Sequence, residues 1–201
     1  MKNVLSVATI LGMLSGVASA APYVTPFNLP GATTPYDMQP VYCVEGLYGF
    51  AGDSDDPDTW GARLSFNLYS DGADTVRQQF TLGVAGMWGD KSYRDAEYGK
   101  FDVDMTMVPI TAGYYLNIEL TDNVLLYLGG RAGYAFCDVD FEGESFDGDG
   151  FTFSAGAGLK FQCSDDVYVN VGYEFGKTYM KGDMDYNYAQ HIISVGVGFR
   201  F

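Results

Sequence analysis

The sequence predicts an all-β chain that closes into an up-and-down antiparallel eight-stranded barrel and spans a membrane. Three observations predict this fold class. Hydrophobic residues alternate with small or polar ones along eight segments, which is the period of a strand with two different faces. The connections between these segments alternate between long and short. Charged residues gather on one face of the segments, and aromatic residues gather at the segment ends.

The chain begins with features typical of a secretory signal peptide. A positively charged start, Met1-Lys2-Asn3, precedes an apolar run and the small residues Ala18-Ser19-Ala20, so we expect residues 1–20 to be cleaved. Residues 21–40 hold five of the seven prolines and lack a strand period, which predicts an extended leader. The barrel is expected over residues 41–201. No segment after the signal peptide is apolar for long enough to form a spanning helix, so a spanning chain would need a closed barrel.

The acidic composition argues against one class of partner. Removal of the signal peptide leaves 10 basic against 26 acidic side chains, a net charge of −16, and such a surface repels nucleic acid. Aromatic residues make up 16% of the chain and glycine occurs 26 times, which fits a twisted β protein. We expect no cofactor.

Each of the eight segments can supply the roughly 9 to 11 residues that a tilted membrane strand needs. The segments are Val41–Phe50, Thr59–Tyr69, Thr75–Trp88, Val108–Ile118, Val124–Phe136, Phe151–Gln162, Val167–Tyr179 and Tyr188–Phe201.

The last segment carries a recognisable signal. Ser194, Gly196, Phe199 and Phe201 fill the pattern polar, any, glycine, two of any, aromatic, any, terminal aromatic. Here the chain resembles the small eight-stranded outer-membrane barrels, such as opacity-type proteins and the membrane domain of outer membrane protein A. The resemblance covers residues 41–201. It implies that the outer-membrane assembly machinery reads these four residues as an assembly signal.

The order of the connections gives the expected orientation. The connections run long, short, long, short, long, short, long. This order is expected when both termini are periplasmic, the turns on that side are short and the extracellular loops are long. The leader at residues 21–40 would then be periplasmic. We expect a monomer in contact with outer-membrane lipid and lipopolysaccharide.

The charged face of the segments is expected to line the lumen. Turning Arg131 to lipid would cost on the order of 2 to 4 kcal/mol near the bilayer midplane, whereas charges inside the barrel can pair. We expect Glu174 among Arg63 and Arg131 in the outer half and Glu45 near Arg200 in the periplasmic half. Eight strands leave room only for side chains, so we predict a lumen closed by an ionic network. Its members are Glu45, Arg63, Arg77, Arg131, Lys160, Glu174 and Arg200.

Three cysteines, Cys43, Cys137 and Cys163, occur in an exported chain, where disulfides persist. In the predicted topology only Cys43 and Cys163 lie near the same rim, so a Cys43–Cys163 disulfide is one possibility. Three free thiols are the other.

Catalysis is a second functional class. The barrel enzymes that modify lipid A need a histidine beside a serine and an acid, and this chain has the single histidine His191. His191 and Ser194 are three residues apart on a strand, so they point to opposite faces. We therefore expect no enzyme. A narrow channel and a lipid A-modifying enzyme remain the alternatives to a structural or adhesive role.

Recognition by the outward loops is the third class, and the one we favour. Two of these loops are rich in acids. In the third loop, Asp138, Asp140, Glu142 and Asp149 sit at relative positions 1, 3, 5 and 12 of a calcium-binding loop. The match is weak, because position 5 is Glu, position 12 is Asp and the flanks are strands. Solvated acids, or acids that share divalent cations with lipopolysaccharide, are the alternative. The extracellular partner of the loops is unknown.

Overall fold

In a computed structural model, eight strands close into a barrel. The structure describes residues 41–52, 56–70, 76–95, 99–141, 144–164, 166–182 and 186–200. The signal peptide and leader predicted for residues 1–40 lie outside these ranges. The strands are β1 (Val41–Ala51), β2 (Thr59–Ser70), β3 (Val76–Asp95), β4 (Gly99–Thr121), β5 (Val124–Phe141), β6 (Glu144–Gln162), β7 (Val167–Gly182) and β8 (Tyr186–Arg200).

Every strand pairs antiparallel with its neighbour in the sequence, and β8 returns to pair with β1. The predicted all-β, up-and-down barrel is thereby confirmed. Closure gives each strand two neighbours, so the sheet has no open edge. Among the described residues, no helix is long and apolar enough to cross a membrane.

The strands extend further than the sequence predicted. β4 has 23 residues, about twice the number that a tilted membrane strand needs. Many residues expected in long loops instead continue as paired strands. The β3–β4 ladder continues to Asp95 opposite Gly99, and the β5–β6 ladder to Phe141 opposite Glu144. We call the barrel end where these two hairpins project the hairpin end, and the opposite end the turn end.

The turn end has short connections. Residues 122 and 123 join β4 to β5, and the amide of Gln162 donates to the Asn123 carbonyl at 2.9 Å. In the turn between β6 and β7, the amide of Cys163 donates to the Val167 carbonyl at 2.9 Å. These bonds satisfy backbone groups where the ladders end.

The two faces of the barrel differ as the alternation predicts. Outward side chains around the barrel are apolar and well exposed, among them Val44, Leu82, Ile110, Leu128, Phe136, Phe151, Val171 and Val195. Inward side chains include buried charged and polar groups, among them Glu45, Arg63, Asn117, Lys160, Asn170 and Glu174. A soluble barrel would place its apolar face inside, so this arrangement fits a lipid solvent.

Candidate functional site

The centre of the lumen holds an ionic cluster formed by Glu45, Arg63, Arg131 and Glu174. These residues project from β1, β2, β5 and β7, so the cluster joins strands from opposite sides of the barrel. Glu45 and Arg63 are direct partners in the β1–β2 ladder. All four side chains are at most 8% exposed.

Arg63 makes the shortest contacts of the cluster. Its Nε donates to Glu45 Oε2 at 2.6 Å. Its two terminal nitrogens donate to the two oxygens of Glu174, at 2.8 Å and 3.2 Å. Two parallel bonds between a guanidinium and a carboxylate form a strong and directional pair. Arg63 therefore links both acids.

Arg131 balances the remaining charge at longer range. Its Nη2 lies 3.8 Å from Glu45 Oε2, and its Nε lies 3.6 Å from Glu174 Oε1. The guanidinium also lies over the ring of Tyr115, with Cζ 5.1 Å from the ring centroid. Two acids and two bases make the cluster formally neutral, which lowers the cost of burying them.

Neutral side chains satisfy the outer oxygens of the two glutamates. Asn170 Nδ2 donates to Glu45 Oε1 at 2.7 Å, and Ser154 Oγ donates to Glu174 Oε2 at 3.0 Å. A buried ion pair is stabilising only when its remaining lone pairs also find donors.

Three charged members of the cluster face a glycine on a neighbouring strand. Glu45 lies opposite Gly196, Glu174 opposite Gly156, and Arg131 opposite Gly113. A Cβ at these glycines would lie 2.5, 2.7 and 2.9 Å from the Cγ of the facing residue. The glycines leave the space that the charged side chains occupy.

Toward the turn end, Lys160 forms a second polar layer. Its Nζ donates to Gln79 Oε1, and to Asn117 Oδ1 at 2.7 Å. The ammonium also lies 5.2 Å from the ring centroid of Tyr127 and 5.7 Å from that of Tyr168. Amide oxygens and aromatic faces thus hold this cation in place.

The remaining predicted network residues lie elsewhere. We expected Glu45 near Arg200, but the structure places Glu45 in the central cluster, because its ladder partner is Arg63. Arg77 lies near the turn end, half exposed, 4.0 Å from Glu119. The side chain of Arg200 is outside what the structure describes.

The sequence analysis missed an apolar layer in the lumen toward the hairpin end. It consists of the buried side chains of Leu47, Ala85, Met87, Met105, Met107, Ala135, Cys137, Met180, Tyr188 and Ile192. The layer separates the ionic cluster from the open end of the barrel. Its residues alternate with outward ones, as those of the cluster do, but no charge marks them as inward.

The polarity of the strands reverses in the projecting hairpins. On β4, Met105 and Met107 face inward and are buried, while Asp102 and Asp104 face outward and are exposed. The same holds on β5 for buried Cys137 and exposed Asp140. Acids outside and apolar groups inside are the arrangement of a soluble sheet in water.

The connection after β1 folds against the hairpin end. Tyr188, which is fully buried, donates its hydroxyl to the Pro57 carbonyl at 2.8 Å. Lys91 Nζ donates to the Asp56 carbonyl at 2.9 Å, and the amide of Ala51 donates to Asp58 Oδ1 at 2.9 Å. These contacts hold residues 56–58 in place.

The disulfide between Cys43 and Cys163 is not formed, and all three cysteines are free thiols. Cys43 is buried in the lumen, where its Sγ lies 3.6 Å from Asn170 Oδ1. Cys163 is exposed in a turn and contacts the Phe161 carbonyl. One thiol points into the barrel and the other lies on its surface.

The described residues of the predicted calcium-binding loop lie along the paired strands β5 and β6. Asp138 accepts a hydrogen bond from Ser145, and Asp149 accepts one from Tyr134. Asp140 lies on β5 opposite Ser145, and Glu142 is outside the described residues. Within the described ranges, no group of three or more His, Cys, Asp or Glu side chains can hold a metal ion.

The residues of the terminal signal lie on β8. Ser194 is buried in the lumen, Phe199 is exposed on the outer face, and Phe201 lies outside the described residues. His191 also faces outward, with Nδ1 2.5 Å from the Tyr173 hydroxyl and its ring packed near Phe175. Ser194 and His191 are therefore on opposite faces.

Comparison with known proteins identifies the family. The sequence model of the family described as outer membrane protein beta-barrel domain matches residues 13–201. The chain belongs to this outer-membrane barrel family. Family membership places the protein in the outer membrane of a Gram-negative cell. Among curated proteins, no sequence matches it significantly.

Solved structures of outer-membrane barrels share this fold. Neisserial surface protein A has a TM-score of 0.60 at 16% identity, with 81% of this chain and 97% of that chain covered. The attachment invasion locus protein Ail of Yersinia pestis has 0.52 at 15%, covering 82% and 99%. A major outer membrane protein of Thermus thermophilus has 0.54 at 11%, covering 81% and 99%. At these identities the likeness concerns the fold alone.

Proposed function

We propose that this outer-membrane barrel has a structural and adhesive role: it is a closed scaffold that holds acidic hairpins outside the cell. The observation that carries the proposal is the reversed polarity of the hairpins. Exposed acids cover their outward faces: Asp90, Asp102, Asp104, Asp140, Asp147 and Asp149. A rigid paired hairpin presents these charges at low cost in conformational entropy.

The proposal takes the hairpin end as extracellular and both termini as periplasmic. Long projecting strands on one side and short turns on the other are the usual pattern of such barrels. The assembly-signal role of Ser194, Gly196, Phe199 and Phe201 is part of the same proposal.

A closed lumen is the second part of the proposed function. The four charged side chains of the central cluster fill the middle of the barrel, and the apolar layer lies above them. A polar cavity beside the cluster has a volume of about 20 Å³, which is room for about one water. This packing favours a scaffold over a narrow channel.

The chemistry of the hairpins indicates the kind of partner. A dense array of carboxylates attracts a basic protein surface, or divalent cations shared with lipopolysaccharide, and it repels polyanions. The attachment role in the name of the Yersinia barrel supports surface recognition by analogy of fold only.

Shortening one hairpin tests the adhesive role. Cys137 pairs with Gly148, so replacing residues 138–147 by Asn-Gly closes a tight hairpin at that level without disturbing the barrel. Cells that display each variant are mixed with basic surface proteins, and the captured proteins are quantified by mass spectrometry. We expect at least a tenfold drop in capture for the shortened variant.

Two further variants separate charge from shape. Asp140→Asn with Asp147→Asn keeps the hairpin and removes charge, and should also lower capture. Asp122→Asn with Asp166→Asn removes two exposed acids at the turn end and should leave capture unchanged. Equal capture by all variants would reject an adhesive role for this hairpin.

A further inference from the structure

A large cavity opens at the hairpin end, above the apolar layer. Its volume is about 520 Å³, within the range of roughly 300 to 1,000 Å³ that is typical of small-molecule sites. β3, β4, β5, β6 and β7 each contribute lining residues, and so does the connection after β1. The cavity is therefore the continuation of the lumen between the projecting hairpins.

The walls of this cavity are apolar because the polarity of the hairpins is reversed. Met105, Met180 and Cys137 line it at the level of the apolar layer, and Val139 and Phe146 line it further out. All five are inward positions of their strands. Methionine side chains are flexible and polarizable, so they adapt to apolar ligands of different shapes.

One side of the cavity is held in place before any ligand binds. Asp56 and Pro57 line it, and their carbonyls accept the bonds from Lys91 and Tyr188 described above. Because this wall is already ordered, less conformational entropy is lost when a ligand binds.

The cavity is closed toward the turn end. Met87 and Met107 are 2% and 1% exposed in the apolar layer, and the ionic cluster of Glu45, Arg63, Arg131 and Glu174 lies beyond them. Below the cavity, the apolar layer comes first and the ionic cluster lies beneath it. The geometry is that of a receptor site and not of a passage.

We propose that this cavity binds a small uncharged hydrophobic molecule that enters from the hairpin end. Apolar walls favour a hydrocarbon body because its burial removes apolar surface from water. Asp56 is a lining residue, and the exposed acids of the hairpins, Asp147 among them, lie on the outer faces of the strands that surround the opening. These charges disfavour a fatty-acid carboxylate of the same length.

A cavity-filling variant provides the test. Gly148 lines the cavity, and a Cβ added there would meet its nearest atoms at 3.7 and 3.8 Å, so Gly148→Leu projects into the cavity without a backbone clash. Gly46→Leu is the matched control, because Gly46 is exposed on the outer face and its Cβ has a similar 3.8 Å contact. Val139→Phe fills the cavity from another strand.

The measurement uses full-length mature protein with ¹³C-methyl methionine in lipid nanodiscs, titrated with 1-octanol. We expect saturable shifts of the Met105 and Met180 resonances in the wild type and in Gly46→Leu. The midpoint should rise at least tenfold in Gly148→Leu and in Val139→Phe. Gel mobility of unboiled protein shows which variants fold, and either filled variant alone decides the outcome.

Shifts that rise without saturation, or that are the same in the filled variants and the control, would show that octanol acts through the lipid. Octanoate at neutral pH should give shifts at least tenfold weaker than octanol at equal concentration. Equal shifts from octanoate would reject the uncharged class of ligand.

Discussion

The membrane-spanning part of the barrel and its projecting hairpins have opposite sidedness. In the spanning part, apolar side chains face out and the Glu45, Arg63, Arg131 and Glu174 cluster faces in. In the hairpins, acids face out and Met105, Cys137 and Val139 face in. The same ladders run through both parts. The solvent therefore changes from lipid to water while the backbone continues, and the side chains reverse to match.

The largest expected effect concerns the charged interior of the spanning part. Glu174→Ala removes the acid that Arg63 holds with two bonds and Arg131 approaches at 3.6 Å, which leaves excess positive charge buried. Breaking a buried pair in this way costs about 3 to 5 kcal/mol. Urea unfolding in lipid vesicles, followed by the fluorescence of Trp60 and Trp88, measures the loss.

Conductance of Glu174→Ala in planar bilayers is a second readout of the same variant, and we expect it to rise above the wild type. Ser154→Ala is the control: it removes a single 3.0 Å hydrogen bond to Glu174 and should cost about 1 kcal/mol. If Glu174→Ala leaves both stability and conductance at wild-type values, the lumen is not closed by ion pairing.

Two single substitutions to arginine, both at outward positions of β4, compare the spanning part with the hairpins directly. Ala112 and Asp104 both lie on β4, face outward and are exposed. Ala112→Arg turns a charge to lipid and should cost about 2 to 4 kcal/mol near the midplane. Asp104→Arg turns a charge to water and should change stability by less than about 0.5 kcal/mol.

Urea unfolding of the two variants in the same vesicles gives the difference in free energy of unfolding. A cost at Asp104 as large as that at Ala112 would mean that the hairpin lies in the bilayer and that the sidedness does not change along β4.

The spanning part was the more predictable of the two from sequence. Where side chains alternate and one face carries charges such as Arg131, that face must be the inward one, because charged side chains are costly in lipid and can pair in the lumen. The glycines opposite three of these charges offered a further signal: Gly196, Gly156 and Gly113 become informative once the strand register is known.

The hairpins and the apolar layer were not predictable by the same reasoning. Val103, Met105 and Met107 alternate with polar residues and so have a strand period. The fourth segment, however, was predicted to begin only at Val108, so these residues were assigned to a long connection. Where apolar residues face inward, as Leu47 and Met87 do, periodicity alone does not separate lumen from lipid. The cavity exists because the β3–β4 and β5–β6 ladders continue beyond the spanning part. How far they continue depends on pairing between segments, which the pattern of a single segment does not show.

The smallest expected effect concerns the contact that joins the hairpin end to the connection after β1. Tyr188→Phe keeps the buried ring and removes the 2.8 Å bond to the Pro57 carbonyl, so a buried acceptor loses its donor. The loss should cost about 1 kcal/mol and should loosen residues 56–58 without opening the ionic cluster below them. Hydrogen exchange should increase for this connection and remain unchanged for the strands beside Glu174.

Tyr48→Phe is the matched control for that experiment. Tyr48 is exposed and its hydroxyl lies 3.4 Å from Asp58 Oδ2, so water replaces the lost bond and exchange should stay at the wild-type level. Faster exchange in Tyr48→Phe than in Tyr188→Phe would show that the surface contact, and not the buried one, holds the connection. A change in exchange beside Glu174 on substitution of Tyr188 would show that the two parts of the lumen are coupled across the apolar layer.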